Sequence, residues 1–237
     1  MTMCHICKKD SRKREDIMPT RTFFHLPDEK QERLLEAARI EFSRAPLKDA
    51  SIANIVKLAE IPRGSFYQYF ENKEDLYFYY FDLLRQDSRR DMEQAIDKAN
   101  GDLFKGFENY FSQMIRDTLV GVNSSFYRNL FMNMDYRASR RMIIDFAKTK
   151  KEQQCESKEE KHQHLAEQID MELLKVKDVR ELDLLIQLLM HAVFSTVVNG
   201  YKHLANDPEY SIELVVQDFR LKTSWLREGA MKQREGK

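Results

Sequence analysis

The chain has 237 residues, 42% hydrophobic and 33% charged, with 39 basic and 39 acidic side chains and a formal net charge of zero. That apolar content is enough for a substantial core and excludes a disordered chain, while seven glycines and five prolines are too few for the many turns of an all-β or doubly wound fold. The most apolar run, Leu182 to Phe194, is broken by Asp183, Gln187 and His191 and falls short of the roughly 20 apolar residues of a membrane span; no apolar signal region opens the chain, so a cytoplasmic, non-membrane protein is expected.

Residues 1–20 read as a flexible N-terminal extension. The codons for Arg14-Glu15-Asp16 can spell a purine-rich ribosome-binding sequence ahead of Met18, which makes Met18 a candidate start and residues 1–17 a candidate leader. Cys4 and Cys7 have CxxC spacing, but a zinc site needs four ligands. His25, and the distant His162 and His164 on different helical faces, do not complete one, and Cys155 stands apart, so neither a metal nor a cofactor is expected.

Helical periodicity begins at Pro27-Asp28, with Leu34, Leu35, Ala38 and Phe42 in register until Pro46 forbids continuation. Ser51 can cap a short second helix carrying Ile52, Ile55, Val56 and Ala59, which Glu60-Ile61-Pro62 interrupts. Pro62 suits the first turn of a third helix over Arg63 to Tyr69, where its missing N–H costs nothing. Asn72 then caps a fourth that opens at Lys73 and runs through Tyr77-Phe78-Tyr79-Tyr80-Phe81. This aromatic run is too continuous for one amphipathic stripe and implies packing on two sides.

Two short helices joined by a tight turn, preceded by an amphipathic helix, are the unit that lays its second helix in the DNA major groove. Phe66 and Phe70, four apart, can pack inward, leaving Arg63, Ser65, Tyr67, Gln68 and Tyr69 on or near the open surface. Arg and Gln can read guanine and adenine edges, hydroxyls can hold phosphates, and Gly64 lets the backbone approach closely. Lys73 at a helix start opposes the helix dipole, so a phosphate is its better partner.

The stretch from Ile55 to Leu76 resembles the TetR/AcrR family of transcriptional regulators, most strongly in Gly64-Ser65-Phe66-Tyr67-x-Tyr69-Phe70-x-Asn72-Lys73-Glu74-Asp75-Leu76, with Ala37-Ala38-Arg39-x-Glu41-Phe42 upstream. The resemblance implies an all-α chain: a three-helix helix-turn-helix DNA-binding domain over residues 21–84, then a helical ligand-binding and dimerisation domain over residues 85–237. By position it implies that Ser65, Tyr67, Tyr69 and Lys73 contact phosphates, that Arg63 and Gln68 read bases, and that Ser51 is the capping hydroxyl of the first short helix. Glu60 stands where the family more often has glycine, and Pro62 where serine or threonine is common. Glycine supplies positive φ cheaply, so the turn at Glu60 is the place where strain is expected.

Beyond Asn100-Gly101, Phe104, Phe107, Tyr110, Phe111 and Met114 recur at helical spacing, followed by Phe126, Tyr127, Leu130, Phe131, Met134 and Tyr136, then Met142, Ile143 and Phe146. Each alone is ordinary core. Together, flexible methionines and flat rings suit an adaptable cavity for a small lipophilic effector, with Phe107, Phe111, Met114, Phe126, Phe131, Met134, Phe146 and His191 as lining candidates. Arg116, Asn123, Arg128 or Arg137 could supply a polar anchor. His191 could line the pocket or ligate haem, an interface histidine being the plainer reading.

Residues 148–168 are strongly polar and read as exposed. In the next helix Leu182, Leu185, Leu189, Val193 and Thr196 trace one face, and Leu184, Leu188, His191, Ser195 and Val198 a neighbouring one. Ser211 can cap a last helix bearing Ile212, Val215, Val216, Phe219 and Leu226. Surplus apolar surface on two long antiparallel helices suits an isologous four-helix homodimer interface. The functional expectation is a one-component transcriptional repressor, not an enzyme, that binds a palindromic double-stranded operator as a dimer and is released by its effector. An activator, a chromosome-organising factor or a co-regulator without DNA contact are the alternatives.

Overall fold

The computed structural model describes residues 19–133 and 168–230, which are helical and contain no strand. Cys4, Cys7, Cys155, His162, His164, Met134, Tyr136, Arg137, Met142, Ile143 and Phe146 lie outside the described residues. The chain divides into two units. One holds the described residues up to Phe42 together with Leu47–Asp82, and the other holds Ser43–Pro46 and the described residues from Leu83 onward.

The first unit is built from α1 (Arg21–Phe24), α2 (Asp28–Arg44), a 3-10 turn (Leu47–Asp49), α3 (Ile52–Leu58), α4 (Arg63–Tyr69) and α5 (Lys73–Leu84), whose last residues run across the boundary. The α2 helix buries Leu34, Ala37, Ala38 and Phe42, and the Phe42 ring meets Tyr77 edge-on at 4.9 Å. Sequence periodicity did not reveal α1. It carries Phe23, wholly buried, into an aromatic cluster with Phe70 at 5.2 Å and Tyr79 at 5.5 Å. On α5 Leu76, Tyr77, Tyr79, Tyr80 and Phe81 are all buried, a wider face than one stripe. Asn72 caps α5 as expected, its Oδ1 accepting the Asp75 amide at 2.9 Å.

In the second unit α6 (Ser88–Lys98), α7 (Leu103–Val120), α8 (Ser124–Met132), a 3-10 turn (Met171–Leu173), α9 (Val179–Asn206) and α10 (Ile212–Ala230) enclose one core. The α7 helix is central and packs against α6, α8, α9 and α10. Asp102 caps it by accepting the Lys105 amide at 3.0 Å, and Asp178 caps α9 by accepting the Glu181 amide at 2.8 Å. Gly106 allows α6 and α7 to meet closely, since a Cβ there would lie 2.7 Å from the Ile96 Cα. Among the described helices α9 alone has the length and apolarity to cross a membrane, with 28 residues and mean hydropathy 1.5. The sequence expectation therefore underrated it; Leu182, Leu185, Leu189, Val193 and Val197 on this helix are buried in the core, while Leu184 and Leu188 are exposed.

Candidate nucleic-acid interface

The helix-turn-helix lies within α3 and α4, and the turn between them has a specific physical basis. After Ala59, Glu60 adopts φ 54°, its amide donates to the Lys57 carbonyl at 3.3 Å, and the Ile61 amide donates to Val56 at 3.0 Å. This is the paired hydrogen-bond arrangement by which a left-handed residue ends a helix, normally with glycine. Glu60 occupies it at a cost of about 1–2 kcal/mol relative to ordinary backbone, and its carboxylate accepts from Arg33 Nη1 at 2.9 Å. Pro62 then starts the next helix with φ −60°, as its ring requires.

The α4 helix has two distinct sides. Phe66 and Phe70 are wholly buried, whereas Arg63, Gly64, Tyr67 and Gln68 are exposed, Tyr67 at 48%. The Arg63 guanidinium lies 3.5 Å from the Tyr67 hydroxyl. A Cβ added to Gly64 would meet no atom within 4 Å, so nothing inside the unit requires a glycine there. Arg63, Gly64, Tyr67 and Gln68 thus share an open, polar surface with one fixed cation and several hydrogen-bonding groups.

The other sequence-predicted residues sit differently. Ser65 is half-buried. Tyr69 is only 8% exposed and packs edge-on against Phe23 at 6.4 Å, so its ring serves the core more than the surface. Lys73 Nζ donates to the backbone carbonyls of Lys48 at 2.9 Å and Ala50 at 3.0 Å, which resolves its unfavourable place at a helix start without any external anion. Ser51 occupies the N-cap of α3, but its hydroxyl makes no capping hydrogen bond, which corrects the role expected of it. The capping acceptor is Glu41, 1% exposed on α2, whose Oε1 takes the Ser51 amide at 2.7 Å and whose two oxygens lie 3.3 and 3.2 Å from Asn54 Nδ2. A carboxylate at a helix N-terminus is favoured by the dipole, and its alternation between the buried positions Ala38 and Phe42 hinted at an inward glutamate.

Thr20 was also missed. Its amide donates to the Tyr69 carbonyl at 3.0 Å and its hydroxyl to the Gln68 carbonyl at 2.6 Å, satisfying last-turn acceptors of α4 that the helix itself leaves open. The segment entering α1 is thereby tied to the C-terminal end of α4.

In the second unit Phe107, Phe111 and Phe126 are wholly buried. Phe107 and Phe111 have centroids 4.2 Å apart and both approach Phe219, so they pack as core. Met114 and Phe131 are partly buried against that core, Met114 Sδ accepting from Thr118 and Phe131 lying 5.6 Å from Phe194. Beside them Tyr110 and Tyr127 keep their protons, burial raising Tyr110 above its ordinary value and Tyr127 to about 12. Arg116, a candidate anchor, pairs with Glu213 at 2.9 Å. His191 is exposed, which argues against a pocket-lining or haem-ligating place. It belongs to the outer stripe of α9, with Leu184 at 48% and Leu188 at 53% exposure. Leu214, Leu221 and Trp225 form a similar stripe on α10, Trp225 at 61%. A cavity of about 240 Å³ lies between the two helices, lined by residues that include Thr196, His203, Tyr210, Lys222 and Trp225.

A helical chain with an N-terminal helix-turn-helix and a larger helical unit is the architecture of a one-component regulator. Residues 34–80 match the model for bacterial regulatory proteins of the tetR family, and residues 102–230 match the tetracyclin repressor-like C-terminal domain. The chain belongs to the TetR family of transcription regulators. No curated protein matches it. Among solved structures it is similar to SmeT, the repressor of the Stenotrophomonas maltophilia multidrug efflux pump SmeDEF, at 12% identity and TM-score 0.60, covering 87% of this chain and 94% of that one. NalD, the secondary repressor of the MexAB-OprM multidrug efflux pump in Pseudomonas aeruginosa, matches at 14% identity and TM-score 0.57, covering 87% and 99%. A TetR family regulator from Marinobacter aquaeolei matches at 17% identity and TM-score 0.53, covering 87% and 97%. At these identities the likeness establishes the fold.

Proposed function

We propose that this regulator is a cytoplasmic repressor that binds a palindromic DNA operator as a homodimer and is released by a small lipophilic effector. The observation that carries the reading is the two-sided α4, with Phe66 and Phe70 buried and Arg63, Gly64, Tyr67 and Gln68 presented outward without a structural use for their exposure. Arg63 and Gln68 read base edges; Tyr67 and Ser65 hold phosphates. Lys73 positions the start of α3 through Lys48 and Ala50 and offers its remaining N–H to a phosphate. Ser51 and Tyr69 serve the scaffold.

Dimerisation is supported by the unpartnered stripes Leu184, Leu188 and His191 on α9 and Leu214, Leu221 and Trp225 on α10. Large apolar side chains at such exposure on two adjacent helices suit a self-complementary face. Two recognition helices then meet successive major grooves about 34–36 Å apart. The effector takes the aromatic region of α7, α8 and α9 around Met114, Phe131, Tyr110 and Tyr127, whose hydroxyls give it a polar handle. Its binding favours a dimer with a different separation, with α5 as the lever; a 1.4 kcal/mol preference is about tenfold in the equilibrium between the two states.

The test is enrichment of duplexes from a randomised library by the purified chain, followed by binding of the enriched duplex to Arg63→Ala, Gln68→Ala and Tyr67→Ala variants. Palindromic enrichment is expected, with Arg63→Ala or Gln68→Ala changing which sequences bind by about 1–3 kcal/mol per base contact and Tyr67→Ala weakening all sequences alike. Unselective recovery of duplexes, or variants that bind as well as the parent, would overturn the reading.

A further inference from the structure

The cavity between α9 and α10 shares no lining residue with the operator and effector contacts proposed above, and its walls carry a specific chemistry. Thr196, Asn199 and His203 line it from α9, and Asp218, Lys222 and Trp225 from α10. The Lys222 ammonium donates to Thr196 Oγ1 at 3.0 Å and Ser195 Oγ at 3.4 Å. Both hydroxyls spend their own protons on the Ala192 carbonyl, at 2.7 and 3.1 Å. The partners of Lys222 are therefore neutral, and among the described residues it makes no ion pair. Asp218, the carboxylate on the cavity wall, accepts the Tyr210 hydroxyl instead. Burial draws the Lys222 ammonium below its ordinary pKa, with the Asp218 charge opposing. A cation partly withdrawn from water, with a third N–H still to give, is stabilised by an anion that reaches it.

Shape and size narrow the class of anion. The His203 and Tyr210 rings stack with centroids 4.7 Å apart and 28° between their planes, and Trp225 lines the cavity with 61% of its surface free. Flat aromatic walls favour a planar partner. The volume is about 240 Å³, and a cavity of about 150 Å³ already holds a benzene, so one ring with its acid group fits. Thr196, 2% exposed, and half-buried Lys222 lie deeper than Trp225, so the charged end of a ligand enters first and its ring stays beside the outer side chains. We infer that this cavity binds a small aromatic carboxylic acid, its carboxylate on Lys222 and its ring against Trp225, His203 and Tyr210. Leu221 and Trp225 also belong to the stripe offered to a second copy. On the dimer reading above, the partner subunit closes the mouth over the ligand and leaves Lys222 and Thr196 beneath it to hold the acid.

Trp225 is the only tryptophan of the chain, so its emission reports directly on the cavity. The full chain is titrated with sodium benzoate, with benzamide as the uncharged isostere and acetate as the charge without a ring, by tryptophan emission and isothermal calorimetry. Benzoate is expected to bind saturably with half-saturation at about 1 mM or below, within reach of a ligand of this size, and the other two at least about tenfold more weakly. Lys222→Met is expected to weaken benzoate at least about tenfold and to abolish its advantage over benzamide, whereas Lys222→Arg keeps binding within a few-fold. Circular dichroism checks that both variants fold. Absence of saturation at roughly ten times the expected concentration would overturn the site. Equal affinity for benzoate and benzamide, or undiminished binding by Lys222→Met, would do the same. Leu188→Glu, on the outer stripe of α9 and away from the cavity wall, disfavours a second copy on that face. Binding by this variant but not by the parent would mean that the partner subunit fills the cavity, and would also overturn the site. Failure of the dimer reading alone shows as a parent chain that sediments as a monomer and still binds benzoate as expected.

Discussion

Gly64 offers the sharpest test of what α4 faces. A Cβ placed on it meets no atom of the unit within 4 Å, and the residue lies in the first turn of a seven-residue helix at ordinary helical φ. Replacing it with alanine therefore removes no internal contact, creates no clash and restores up to about 0.5–1 kcal/mol that glycine forfeits in a helix. Folding stability is expected to hold or rise slightly. DNA binding is expected to fall, because the space a Cβ enters is open only while no partner is present, and a methyl forced into a closely fitted surface costs about 1–3 kcal/mol. That corresponds to roughly a fivefold to hundredfold loss of affinity. Gly64→Val enlarges the intrusion and deepens the loss. Urea unfolding followed by circular dichroism, beside anisotropy titration with the enriched duplex, reads both effects on the same samples. Undiminished affinity in the valine variant would refute the close approach, and a large loss of stability would show that an interior contact had been overlooked.

Glu41→Ala leaves the Ser51 amide and Asn54 without their buried acceptor, and the expected cost is about 2–4 kcal/mol, combining the lost charge-assisted bonds with a truncated buried side chain. Thermal unfolding checks the loss, hydrogen exchange at residues 51–54 checks its location, and Glu41→Gln is expected to recover part of it. Glu60→Gly is expected to be neutral or stabilising by up to about 1 kcal/mol, since relief of the φ 54° backbone outweighs an exposed ion pair with Arg33, whereas Glu60→Val destabilises. A shift in urea midpoint of the same sign for both variants would contradict this. Tyr210 donates to Asp218, and that hydrogen bond, with burial, raises the phenol to about 12 from an ordinary 10. A raised pKa in the folded state means that its contribution to stability is complete below pH 10 and lost as pH rises toward 12. Absorbance titration at the phenolate band, with Tyr210→Phe as the blank, is expected to show that Asp218→Asn returns the transition toward 10; an unmoved transition would remove Asp218 as the cause.

The helix-turn-helix was legible because each step of it is local. Proline at the start of α4, Asn72 ahead of α5 and the Phe66–Phe70 spacing act within one or two turns, and their conformational effects need no distant partner. Glu60 is of the same kind. It stands where the resembled family more often has glycine, and φ 54° is a backbone that glycine supplies cheaply. The two neighbouring stripes of α9 were also readable from period alone, but which one the core would take was not. Leu182, Leu185 and Leu189 went inside, and Leu184, Leu188 and His191 stayed out.

What the sequence alone determined, then, was the helical class, the short helix α4 and the outward turn of Arg63, Tyr67 and Gln68, whereas Tyr69, expected on or near the open surface, went inside. Tertiary structure decided which polar residues act on the scaffold. Lys73, read from its neighbours as a cation in want of a phosphate, is held by carbonyls 25 and 23 residues earlier. Ser51, read as a capping hydroxyl, yields to Glu41 from ten residues upstream, and Thr20 closes the end of α4 from 48 residues away. A buried hydrogen-bonding group takes whatever partner the packed helices bring within 3 Å, and no periodicity along the chain encodes that meeting.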